Sequence, residues 1–96
     1  MYSVTVTMNV KPGHEATFED LMRGLASAVR ANEPENVAYH ILRVRNEPTK
    51  YRVVEIYRSK DAFKTHLGAP YIQKANPDVL KILSSPPEIE PTEVVA

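Results

Sequence analysis

An α+β fold with the element order β-α-β-β-α-β is predicted by three features of this 96-residue sequence. Residues 2–10 alternate apolar and polar with a period of two, the residues after His14 carry a helical stripe, and two more extended segments are joined by a turn of hairpin length.

Tyr2, Val4, Val6, Met8 and Val10 are apolar, with Ser3, Thr5, Thr7 and Asn9 between them, so this segment reads as a strand. Lys11-Pro12-Gly13 is a turn signal. From His14 onward Phe18, Leu21, Met22, Leu25, Ala28 and Val29 form one helical face, opposite Glu15, Glu19, Asp20, Arg23, Ser27 and Arg30. Acids in the early turns and Arg30 near the end suit the helix dipole. Asn32-Glu33-Pro34 closes the helix, because the residue before a proline avoids the helical region. Val37–Arg45 and Tyr51–Arg58 are the next predicted strands, with the polar turn 46–50 between them. Ser59 is a predicted N-cap for a short helix, Lys60–Leu67. A second helix is expected from Pro70 to Leu83, broken or restarted at Pro77. Pro86-Pro87 leads to a last extended segment, Glu88–Val95, which Pro91 confines to a sheet edge or an interrupted pairing.

This order is the split βαβ, ferredoxin-like sandwich, and it is expected to occupy residues 1–96 as one domain. Its helices cover one face of the sheet. Both parities of the middle strands are largely apolar (Tyr39 and Ile41 against Ala38, Leu42 and Val44; Val53 and Tyr57 against Val54 and Ile56), so the second face also asks for a cover. A second copy packed sheet against sheet supplies it, and a homodimer is expected.

Composition narrows the function. Twelve Lys and Arg balance twelve Asp and Glu, which argues against nucleic acid or an anionic membrane as partner. No cysteine is present, which excludes disulfides, thiolate metal sites and a Cys nucleophile. No apolar run approaches the roughly 20 residues of a membrane span, and the first residues lack the basic-then-apolar pattern of a secretory signal. A cytoplasmic protein is the expectation. There is no Gly-rich phosphate loop, no His-Glu-x-x-His and no Gly-x-Ser-x-Gly. His14, His40 and His66 are too dispersed for a metal-ligand spacing, so no metal and no other cofactor is expected.

His66 shares an apolar helical face with Phe63 and Leu67, where an imidazole is either satisfied by a neighbour or lines a cavity. Glu55 sits in mid-strand among Val53, Val54, Ile56 and Tyr57, and a carboxylate there either lies at a sheet margin or is held by a donor. Glu55 and Tyr57 share a face, and their strand leads into the helix of His66. An acid, a phenol and an imidazole can therefore converge, with Glu55 accepting a hydrogen bond that orients His66 as a base. The competing reading pairs Glu55 with Arg43 or Arg45 across strands. Tyr39 and Tyr57 are otherwise packing residues with hydroxyls at the layer edge. The basic residues between Arg43 and Lys64 are diluted by acids and read as a solvated face that steers anions at most.

The runs Val10-Lys11-Pro12-Gly13-His14-Glu15, Phe18, Glu33-Pro34 before Tyr39, Val54-Glu55-Ile56-Tyr57, Ala62-Phe63 with His66, and Pro70-Tyr71 together resemble the antibiotic biosynthesis monooxygenase (ABM) domain. Glu35 stands where that family often has Gly after Glu-Pro. The resemblance implies a dimeric α+β barrel. It implies a function from a mixed set: oxygenation of quinols, anthrones or related polyketides without metal or flavin, haem degradation, or isomerisation of a phosphorylated quorum-sensing sugar. The residues characteristic of the haem branch would fall at Thr5, His66 and Ala75 and are not retained. Glu55, Tyr57 and His66 resemble both remaining branches.

The expected function is therefore that of a quinol-monooxygenase-like member. His66, assisted by Glu55, removes a proton from a small quinol or phenolic substrate, Tyr57 positions a substrate oxygen, and the substrate anion reacts with dioxygen. The pocket is expected between sheet and helices, lined by Phe18, Met22, Tyr39, Phe63 and Leu67. Two other readings stand beside it: an isomerase working by proton transfer alpha to a carbonyl, of the quorum-signal-degrading type, and a non-catalytic dimeric stress-response or ligand-binding domain.

Overall fold

The computed structural model describes residues 1–96 and has the elements β1 (Tyr2–Asn9), α1 (Glu15–Asn32), β2 (Asn36–Arg43), β3 (Lys50–Tyr57), α2 (Lys60–Leu67), α3 (Pro70–Lys81) and β4 (Glu88–Thr92). The strands form one antiparallel sheet in the order β2-β3-β1-β4, with the helices on one face. This is the predicted ferredoxin-like α+β plan.

The register decides which side chains meet. Val6 lies opposite Val53, Val4 opposite Glu55 and Tyr2 opposite Tyr57, while Tyr39 on β2 also faces Glu55. Because side chains alternate along a strand, Tyr51, Val53, Glu55 and Tyr57 all point under the helices, and all four are buried. From above, α1 contributes Phe18, Met22, Leu25, Ala26 and Val29 to the core, and α3 contributes Ile72 and Val79. Phe18 packs against Tyr51 with ring centroids 4.6 Å apart and the rings tilted by 44°.

Local chemistry sets the element ends. The Ser59 hydroxyl accepts the Ala62 N–H at 3.1 Å, which starts α2 where the sequence predicts it. Between β2 and β3 the chain turns through Asn46 at a φ of 66°, a left-handed conformation that asparagine tolerates.

Several boundaries differ from expectation: β2 runs Asn36–Arg43 rather than Val37–Arg45, and β3 runs Lys50–Tyr57 rather than Tyr51–Arg58. Pro77 does not break α3, which runs unbroken from Pro70 to Lys81. Ile72 and Val79 are buried on either side of it while Pro77 itself is exposed, so core packing outweighs the one backbone bond the proline cannot make. The helix also stops short of Leu83, because Leu83 bridges to Val10 and the Ile82 carbonyl accepts the Lys11 N–H at 2.8 Å. The last strand ends at Thr92 rather than Val95. Thr92 pairs with Ser3, and β1 has almost no residues left beyond it to continue the ladder. Pro91 lies opposite Val4 on this edge strand, within the same chain.

The other sheet face carries Leu42, Val54 and Ile56, beside Thr5, Thr7 and Arg52, and no element of this chain covers it. No helix is long and apolar enough to cross a membrane.

Candidate active site

The polar residues under the helices are gathered by four elements. Strand periodicity turns Glu55 and Tyr57 of β3 inward. The chain then passes through the Ser59 cap, and α2 carries His66 back over that end of the sheet. Glu33 is the residue that ends α1, and Tyr71 lies in the first turn of α3.

These five side chains form one continuous chain of contacts. Nδ1 of His66 lies 2.9 and 3.0 Å from the two carboxylate oxygens of Glu33. Glu33 also accepts the hydroxyl of Tyr71. A ring nitrogen facing an acceptor of this kind carries the proton, so Nδ1–H donates to Glu33. On the other side, Nε2 is 3.5 Å from Oε1 of Glu55, and that same oxygen accepts the Tyr57 hydroxyl at 2.8 Å. The order is Tyr71, Glu33, His66, Glu55, Tyr57. His66 is 3% exposed and Glu55 7% exposed, so the centre of the array is nearly dry, while Glu33 and Tyr71 at its end are partly exposed. Aromatic rings enclose it: Tyr57, Tyr39 and Phe63 lie 5.3, 5.7 and 6.3 Å from the His66 ring.

Burial raises the pKa of Glu55 above the ordinary carboxyl value, opposed by the Tyr57 hydrogen bond and by His66. It also raises the phenols of Tyr57 and Tyr39, helped in both by the neighbouring carboxylates. Tyr71 is pushed up to about 12 by burial and by its bond to Glu33. The three phenols therefore stay neutral near neutral pH, while burial makes Glu55 easier to protonate than an ordinary carboxylate. The arrangement offers one imidazole locked at Nδ1, a loosely partnered Nε2, and a protonatable carboxyl beside it. Glu33 and Glu55 occupy opposite ring nitrogens, so the three groups do not converge on a common point, and no three His, Asp or Glu side chains are disposed to hold a metal ion.

Of the residues expected here, His66, Glu55, Tyr57, Tyr39 and Phe63 are brought together. Phe18 and Met22 are not; they pack in the core at the Tyr51 end of β3. Leu67 is 46% exposed on the outer side of α2, since turning His66 inward rotates its neighbour about 100° away. The Tyr57 hydroxyl, expected to position substrate, is engaged by Glu55. The alternative Glu55–Arg pairing does not form, because the register sets Tyr39 opposite Glu55 and Arg43 pairs with Glu19. Two members were missed. Glu33 reads in sequence as a helix stop, and Tyr71 as one more residue after a proline. Both lie in runs that carry the family resemblance, which was their only signal.

Two open cavities lie along the groove between α1 and β2. One, of about 450 Å³, is lined by residues including Met22, Arg30, Ile41 and Tyr51. The other, of about 370 Å³, reaches Glu33 and Tyr39, which both contact His66.

The family model for antibiotic biosynthesis monooxygenase matches residues 1–78. Among solved structures, a candidate antibiotic biosynthesis monooxygenase from Caulobacter crescentus CB15 is 35% identical, with a TM-score of 0.94 over 99% of this chain and 90% of that one. A counterpart from Nitrosomonas europaea is 21% identical, with a TM-score of 0.93 over the full length of both chains. Another, from Deinococcus radiodurans, is also 21% identical, with a TM-score of 0.88 over 100% of this chain and 94% of that one. No curated protein matches the chain. With a family match over most of its length and a 35% identical structural relative that it covers almost completely, the chain belongs to the antibiotic biosynthesis monooxygenase family.

Proposed function

We propose that this protein is a cofactor-free monooxygenase acting on a small quinol or phenolic substrate, working as a homodimer of one domain, residues 1–96, in the cytoplasm. The observation that carries the reading is the position of His66, locked at Nδ1 by Glu33 with Nε2 turned toward Glu55 among the rings of Tyr39, Tyr57 and Phe63. Nε2 takes a proton from the substrate hydroxyl, and Glu33 holds the ring in one orientation as it does so. The anion then passes an electron to dioxygen, and recombination of the two radicals forms a carbon–oxygen bond. In the balanced reaction the substrate gains one oxygen atom and loses two hydrogens, which leave with the second oxygen as water. Glu55 shuttles a proton at Nε2, and Tyr57 keeps Glu55 in place. The substrate approaches from the 370 Å³ cavity, whose wall includes Glu33 and Tyr39. Leu42, Val54 and Ile56 on the uncovered sheet face support the dimer.

Oxygen uptake over a panel of hydroquinones, naphthoquinols and anthrones, with His66→Ala beside the wild type, tests the proposal. Uptake above autoxidation that His66→Ala abolishes supports it; equal turnover by a folded His66→Ala protein sinks it. The raised pKa of Glu55 favours a second reading, since an acid beside a base also suits proton transfer alpha to a carbonyl. Product formed equally under strict anaerobiosis selects that isomerase. No product under either condition leaves the ligand-binding domain.

A further inference from the structure

The larger groove cavity, of about 450 Å³, lies apart from His66, and its chemistry is different. Three guanidinium groups line it, those of Arg23, Arg30 and Arg43, with one carboxylate, Glu19. Glu19 is fully engaged: it accepts the Tyr51 hydroxyl at 2.6 Å and pairs with both Arg43 and Arg23. Arg23 is shared with Asp20 as well. Arg30 alone of the three pairs with no carboxylate. One of its nitrogens donates to the Tyr39 carbonyl at 2.7 Å, which pins the group at the groove. A guanidinium offers five N–H donors in a planar fork, so most of this one is left for a ligand. Beside it Ile41 is half-buried and presents an apolar contact, backed by the buried Met22 and Ala26. Arg30 also lines the second cavity, so the two share this residue.

We propose that the α1/β2 groove is a binding site for a small organic anion, with Arg30 as the anchor for its headgroup and the half-buried Ile41 as the apolar contact for its body. The headgroup is a carboxylate or a phosphate monoester, both of which match the guanidinium fork. Glu19 does not repel the ligand, because its charge is already neutralised by two arginines. The site stands on its own geometry and does not depend on turnover at His66.

Titration calorimetry and amide-shift mapping on the full chain test it with benzoate, phenyl phosphate and the neutral benzyl alcohol. Both anions, or one of them, bind saturably with shifts at the groove, and benzyl alcohol binds at least about tenfold more weakly. The tighter anion identifies the headgroup. Arg30→Gln weakens anion binding by about tenfold or more. Ser27→Trp, at an exposed position on the groove wall, weakens it too while leaving Arg30 in place. Saturable binding by neither anion overturns the proposal, as do equal affinity for benzyl alcohol, unchanged binding by Arg30→Gln or by Ser27→Trp, and shifts that map elsewhere.

Discussion

Glu33 and His66 stand 33 residues apart in the chain, yet both carboxylate oxygens of Glu33 lie within 3.0 Å of one imidazole nitrogen. The first is where α1 ends and the second sits near the end of α2. Packing of the two helix ends over the same strand pair thus fixes the ring face of a buried histidine. Replacing Glu33 with Gln keeps an acceptor at Nδ1 and removes the charge. The expected outcome is a folded protein whose kcat for the proposed reaction falls about tenfold with little change in KM, read by steady-state kinetics.

Removing the imidazole has two separable consequences. His66→Ala strips a partner from two mostly buried carboxyls, and a stability loss of about 2–4 kcal/mol is expected by chemical denaturation. Turnover falls on the order of 10²- to 10⁴-fold. His66→Gln retains an N–H donor and regains part of the stability, but none of the turnover.

The two buried-edge glutamates predict opposite pH dependence. The pKa of Glu55 is raised in the fold, chiefly by burial, so folding favours its protonated form. Its contribution is fully present below the ordinary value of 4.5 and is lost as pH rises through the folded value. Glu55→Gln therefore gains on the wild type as pH rises above 4.5. The pKa of Glu19 is lowered, first by the Tyr51 hydrogen bond and then by Arg43. Its contribution is present above 4.5 and is lost as pH falls through the folded value, so Glu19→Gln is less stable than wild type at neutral pH and converges with it in acid. Denaturation curves across pH that slope the same way for both variants would contradict this.

Tyr57 is fully buried, and its hydroxyl lies 2.8 Å from Glu55. Tyr57→Phe leaves that carboxyl short of a donor and is expected to cost about 1–2 kcal/mol. Because the lost bond lowers the Glu55 pKa, the variant also shifts the Glu55 titration upward, measurable by carboxyl NMR.

Phe18 separates core from site. It is 0% exposed and packs against Tyr51, away from His66. Phe18→Ala is expected to cost about 3–5 kcal/mol of stability. At a temperature where the variant is still folded its kcat is close to wild type, and a selective loss of kcat would return Phe18 to the pocket.

The alternation over residues 2–10, the stripe of α1 and the Ser59 cap were legible in sequence because each is a local pattern whose period or capping chemistry specifies one element. The same periodicity placed Glu55 and Tyr57 on one strand face and His66 on the inner face of α2. Pro77 was misread because its local rule yields to burial on both sides of it. The pocket lining was half legible: Phe18 and Met22 are apolar and inward like Phe63, and nothing in their spacing tells which end of the sheet they reach.

What the sequence by itself determined, then, is the order of elements, their inward faces and the three residues Glu55, Tyr57 and His66. The tertiary structure decided the rest. Only the register of β2 against β3 sets Tyr39, rather than an arginine, opposite Glu55. Only the packing of α1, α2 and α3 at one end of the sheet brings Glu33 and Tyr71 to His66. Periodicity says which way a side chain points from its own element, whereas a polar contact between elements depends on where those elements end and cross in space, which is not written in any local pattern.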